Sequence, residues 1–223
     1  APARARPSMR EALQFVLNPG WPRTLVILSA TYTIFAMSFL TILPVYARDA
    51  LGLGAAGYGW LTAAFGVGAA GGALLLAGFG PTRARGNVAL RAGVVIGSAI
   101  LLLSIAPVAP LAFLLLVAAG ASLSTNAITT NTLLQTEAPD ELRGHVIGFY
   151  AFIVVGLAPF GALQVGLVSE FAGVRVAVAL GGIICLAMTL WMTFQIRGTL
   201  GGAIDRRKSA QTEESYSWQE RRQ

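Results

Sequence analysis

The chain has 223 residues, of which 55% are hydrophobic and 12% charged, with a formal net charge of +6. A soluble domain carries about 25% charged residues, so this composition excludes an ordinary water-facing surface and points to one that faces lipid. The positive charge does not read as a nucleic-acid footprint, because the basic residues fall between long apolar runs rather than in one patch.

The first element is a short helix on the approach to the membrane. Ser8 and Glu11 form a capping box ahead of Leu13, Val16 and Leu17, and Asn18, Pro19 and Gly20 stop the turn. Residues 1–22 are therefore a linker with a small amphipathic helix on the cytoplasmic surface. The chain opens on Ala1 rather than Met and shows no signal peptide, so it reads as a fragment, a processed product or a trimmed chain.

Six stretches are long and apolar enough to cross a hydrocarbon core, which takes about 20 residues of helix. They cover residues 23–47, 58–79, 88–106, 111–134, 146–168 and 174–196, so that 23–197 is one six-helix transmembrane bundle. Barrel strands are excluded, because these runs are long and lack a period of two. The chain is read as an all-α membrane protein. Residues 198–223 turn polar and are expected to be a disordered cytoplasmic tail.

Topology follows from the basic residues. Fourteen of the 16 Lys and Arg fall on one side of the six spans, and only Arg48 and Arg175 fall on the other. The richer side is cytoplasmic, and an even number of spans puts both termini there. The protein is expected in the cell (inner) membrane.

Each span carries a different message. In the first, Tyr32, Phe35, Phe39 and Tyr46 share a helical face, either as packing or as a surface for a bulky solute. In the second, Gly68-x-x-x-Gly72 permits close helix contact. The fourth is the most polar. Ser122, Thr125, Asn126, Thr129 and Thr136 fall on one face, with Ser124, Asn131 and Gln135 nearly opposite. Polar groups facing lipid are costly, so one stripe should pack on a neighbour and the other face a cavity. Ser and Thr can also bond their own helix backbone. In the fifth, Tyr150, Leu157, Gly161 and Gln164 share a face, and Gly156, Pro159 and Gly161 interrupt it, as a static kink or as a moving joint. The lone cysteine, Cys185, reads as a small buried hydrophobe.

No enzyme motif is present. His145 belongs to a connection, no span holds paired carboxylates, and there is no phosphate-binding Gly-Lys-Ser/Thr. No catalytic residue, metal site or cofactor is assigned.

The connection between the fourth and fifth spans reads Ala138-Pro-Asp-Glu-Leu-Arg-Gly144. With six spans behind a short helix, it resembles the C-terminal half of a major facilitator superfamily transporter. The resemblance is to the branch of bacterial drug and siderophore exporters, macrolide and enterobactin exporters among them. The second-to-third connection, from Gly78 to Gly86, is similar to the family's Gly-x-x-x-Asp-Arg-x-Gly-Arg loop. Gly78 and Arg83 match, Thr82 replaces the Asp, and Arg85 replaces the Gly. The resemblance implies twelve spans in two bundles with the solute between them, so that spans one, two, four and five line the path while three and six face lipid. Substrate-pathway candidates are then Tyr32, Phe35, Phe39, Ser122, Asn126, Thr129, Asn131, Tyr150 and Gln164. Arg83, Arg85, Glu137, Asp140, Glu141 and Arg143 belong to the cytoplasmic gating loops. The implied function is export of a small amphipathic solute, a drug or siderophore, by proton-coupled alternating access. Asp49, Glu137, Asp140, Glu141 and Glu170 all lie at span ends or in loops, so the coupling carboxylate comes from the missing half or from Glu137. The partners are the lipid bilayer, the solute, and a first six-helix half or a second copy. The alternative is a non-transporting orphan half that acts as a membrane scaffold.

Overall fold

The computed structural model describes residues 9–78 and 85–196, with nothing assigned to the Arg85 side chain. Arg83, Ser8 of the capping box and the tail after Ile196 therefore lie outside the described residues. Those described form helices and no strand. Helix α1 is Met9–Leu17. The six spans are α2 (Trp21–Ala50), α3 (Ala55–Gly78), α4 (Arg85–Ser104), α5 (Ala109–Glu137), α6 (Arg143–Ala172) and α7 (Val174–Ile196). All six runs read from hydropathy are present, most of them extended by a turn or less at the ends. In lipid a backbone must bond itself, which is why long apolar runs become helices.

Helix α2 is the central pole. It is irregular, with π-helical turns at Tyr32–Met37 and Tyr46–Ala50 and Pro44 between them. A π turn and a proline each disturb the ladder of backbone bonds. Ser38 repairs part of this by donating its hydroxyl to the Thr33 carbonyl at 3.0 Å. Tyr32, Phe39 and Tyr46 recur every two turns and are all buried. Phe39 and Tyr46 meet edge to face, with ring centroids 6.5 Å apart. Tyr46 donates to the Leu103 carbonyl of α4 at 2.6 Å.

Around this pole, α4 and α7 pack closely. A Cβ at Gly97 would lie 2.7 Å from the Leu186 backbone nitrogen, and one at Gly182 would lie 2.5 Å from that of Leu101. The third and sixth spans thus have an inner face packed on α2 and on each other, and an outer face with exposed apolar residues such as Leu102, Ile183 and Phe194. The apolar cores of α2 and α4 are 61% and 56% buried, against 17% for α3 and 11% for α6. On the other flank α3 lies against α5. Gly68 and Gly72 touch the backbone of Val117 and Ala121, and Gly120 meets the Phe65 carbonyl. The Gly-x-x-x-Gly spacing thus makes the close helix contact that its small residues allow.

Helix α6 breaks between Gly156 and Ala158, with Pro159 in the first turn of its second segment. Just beyond the break, Gly161 sits against the Ile34 carbonyl and the Ser38 hydroxyl, in the π-helical stretch of α2. The two irregular points therefore touch. Helix α1 packs Ala12 and Val16 with Val26, Leu134 and Val146 at the end of the bundle that holds the described termini. Leu13 and Leu17 lie exposed on a face turned away from this packing.

At the opposite end Arg175 gathers the C-terminal ends of two helices. It donates to the carbonyls of Ala50 at 2.9 Å, Ser104 at 3.0 Å and Ala106 at 3.2 Å. A cation at the C-terminal ends of α2 and α4 also meets the negative pole of each helix.

Candidate functional site

A groove of about 490 Å³ opens on the flank opposite α4 and α7. Four spans build it. Ser29, Tyr32, Thr33 and Met37 come from α2, and Phe65 and Ala69 from α3. Leu123, Ser124 and Asn126 come from α5, and Tyr150, Val154 and Val155 from α6. Among the described residues, no side chain of α4 or α7 and no charged group belongs to the lining. The division among spans one, two, four and five is the one the family resemblance implies.

The sequence-derived candidates separate into three sets. Tyr32, Asn126 and Tyr150 line the groove. Tyr32 is nevertheless 2% exposed, and its hydroxyl lies 2.7 Å from that of Thr189 on α7. Asn126 is equally buried and donates its side-chain nitrogen to the Ala89 carbonyl of α4 at 3.0 Å. Tyr150 is half-buried, with its hydroxyl close to Ser29 but outside hydrogen-bond geometry.

A second set packs away from the groove. Phe39 is enclosed in the core, and Phe35 is half-buried against that core, its carbonyl facing Gly181 of α7. The aromatic stripe of α2 is mostly packing. Thr129 is buried with its hydroxyl unpartnered, as is that of Thr130. Ser122 and Gln164 are half-buried and absent from the lining. Asn131 accepts from the Gln135 amide at 3.3 Å, one turn further along α5. The polar stripes of α5 do not divide cleanly: Asn126 of one ties α5 to α4 and also lines the groove, where Ser124 of the other meets it.

The third set lies at the termini-bearing end. Arg143 donates its Nε to the Gln135 carbonyl at 2.7 Å and pairs with Asp140 at 2.7 Å. It thus folds the 138–142 connection back onto the last turn of α5. Glu137, Asp140 and Glu141 are exposed. An exposed pair of this kind contributes at most about 1 kcal/mol. Arg85 opens α4.

Ser29, Thr33, Met37, Phe65 and Val154 line the groove without having been singled out from sequence. Ser29 had one signal: it lies one turn before Tyr32 and Thr33. Arg175 stood only as one of two basic residues on the poorer side, and nothing in its neighbours announced a three-carbonyl clamp.

A family model described as transmembrane secretion effector, of the major facilitator type, matches residues 4–220. Among curated proteins, the multidrug efflux pump Tap of Mycolicibacterium fortuitum is 29% identical over 166 residues, 74% of this chain and 40% of that protein. The chain thus spans well under half the length of this curated relative. No solved structure matches it. A family match over nearly the whole length, on a bundle of six apolar helices, means that the chain belongs to the transmembrane secretion effector family of major facilitator-type membrane proteins.

Proposed function

We propose that the chain is the C-terminal six-span half of a secondary exporter, and that its groove is half of a solute path. The observation that carries this reading is the groove itself: uncharged, mostly apolar, and lined by four spans on the least buried flank. Left to lipid, its Asn, Ser and Tyr groups would be costly. A second six-span bundle, from a preceding half or a second copy, would cover them and close a central cavity. An uncharged wall with aromatic edges suits a small amphipathic solute such as a drug or siderophore.

Transport would then proceed by alternating access, with the two bundles rocking about the cavity. The paired irregularities of α2 and α6 offer the place to bend, because π turns and prolines leave fewer backbone bonds to break. Uphill export needs coupling, and proton entry is the proposed source. Among the described residues the groove lining holds no carboxylate, and Glu137 stands exposed at the bundle end as a solvated charge. The coupling carboxylate is therefore assigned to the facing half. The bias of Arg and Lys places the termini on the cytoplasmic side of the cell membrane.

The test is transport by the chain together with its facing half in proteoliposomes under an imposed pH gradient. Drug movement that follows the gradient is expected. Movement indifferent to the gradient would sink proton coupling, and no movement of any solute would favour a non-transporting scaffold.

A further inference from the structure

Three polar side chains in the groove wall come from three different helices and have bonding capacity left over. Asn126 of α5 is the best defined. Its amide nitrogen is turned to the Ala89 carbonyl at 3.0 Å. The opposite orientation would set two acceptors against each other, so the side-chain oxygen is directed away from α4. That oxygen receives no hydrogen bond from a described residue and is not among the atoms sealed from the surface. Ser29 of α2 is 6% exposed and lines the same groove, but its unpartnered hydroxyl is itself sealed from the surface. The Tyr150 hydroxyl of α6 lies beside it.

The rest of the wall is apolar where these three are not: Met37, Phe65, Leu123, Val154 and Val155. An amide oxygen only accepts, whereas the two hydroxyls both accept and donate. Among the described residues the lining has no carboxylate to balance a cation and no cation to balance an anion. A buried acceptor without a donor is costly, so a solute that brings one is favoured over an isostere that lacks it.

We propose that Asn126 and Tyr150, the latter backed by the sealed Ser29 hydroxyl, form a hydrogen-bonding pole that orients solutes by a neutral donor, a hydroxyl or an amide N–H, at one end of an apolar body. This rests on the groove being a solute path, and it adds the chemical feature by which this half selects. The other end of the solute lies along the apolar wall, so the pole acts on orientation and selection, and the apolar wall on general affinity.

The test uses the chain with its facing half and two neutral fluorescent probes, dansylamide, which has N–H donors, and its N,N-dimethyl analogue, which has none. Fluorescence titration should show the donor-bearing probe binding about three- to tenfold more tightly, the range expected of one net hydrogen bond in a membrane protein. Asn126→Leu should bring the ratio close to one while the dimethyl analogue keeps its affinity. Tyr150→Phe should narrow the ratio by a smaller step, and it carries the test alone if the leucine variant fails to fold. A wild-type ratio of one would overturn the pole, as would variants that weaken both probes equally. Failure of the wild type to bind either probe would instead overturn the solute path itself, and the pole with it.

Discussion

The Tyr32 and Thr189 hydroxyls, 2.7 Å apart and both buried, join α2 to α7. Thr189 passes the bond on to the Cys185 carbonyl at 2.6 Å. Removing the phenolic oxygen leaves Thr189 with that second partner, so Tyr32→Phe should cost only about 0.5–1.5 kcal/mol. A small fall in the thermal midpoint in detergent, with solute binding retained, is the expected result. Arg175 is a different case. Its guanidinium holds the ends of α2 and α4 through three carbonyls, and charge-assisted bonds are worth more than neutral ones. Arg175→Leu should cost about 3 kcal/mol or more, seen as a much larger drop in the same midpoint. Arg175→Lys should recover only part, because an ammonium lacks the planar fork that reaches several acceptors.

Among the helices, the contact between α3 and α5 depends on small residues at chosen positions. Gly68 and Gly72 meet backbone directly, whereas a Cβ at Gly66 or Gly71 would have nothing within 4 Å. Gly68→Leu and Gly72→Leu should therefore push the helices apart and abolish a monodisperse peak in detergent chromatography. Gly66→Leu should leave that peak unchanged. The joint between α2 and α6 behaves similarly. Gly161→Val would press a branched side chain into the Ile34 carbonyl and Ser38 hydroxyl. It should lower thermal stability through a collision in the π-helical stretch. The Gly68–Gly72 contact was readable from spacing, since four residues span one helical turn. The partner of Gly161 was not, because it lies far away in the chain on another helix.

At the scale of the whole molecule, the bundle is lopsided. One flank is the dense packing of α2, α4 and α7. The other exposes large apolar residues, including Leu74, Phe152 and Val155, each more than 70% exposed, beside a groove with polar groups. Lipid suits those apolar side chains but not the Asn126 oxygen or the Tyr150 hydroxyl. Mass measurement of the chain in mild detergent should therefore find it bound to a second six-span unit rather than as a 23.3 kDa monomer. A stable lone monomer that binds no partner would count against the half-transporter reading.

The number of spans, their helical character and the division of basic charge between the two ends were all legible in the amino-acid order. They follow from local rules: a backbone in lipid must bond itself, and each span can be judged by its own length and polarity. Which side of each helix meets which neighbour was decided only in the tertiary structure. Water normally marks the outer face of a helix with charge, but lipid is as apolar as the core, so the wheel of a span says little about its rotation. Small residues and π turns set that rotation through close packing. They turned the Phe35 and Phe39 stripe inward, tied Asn126 to Ala89, and brought Ser29 to the groove wall beside Tyr150.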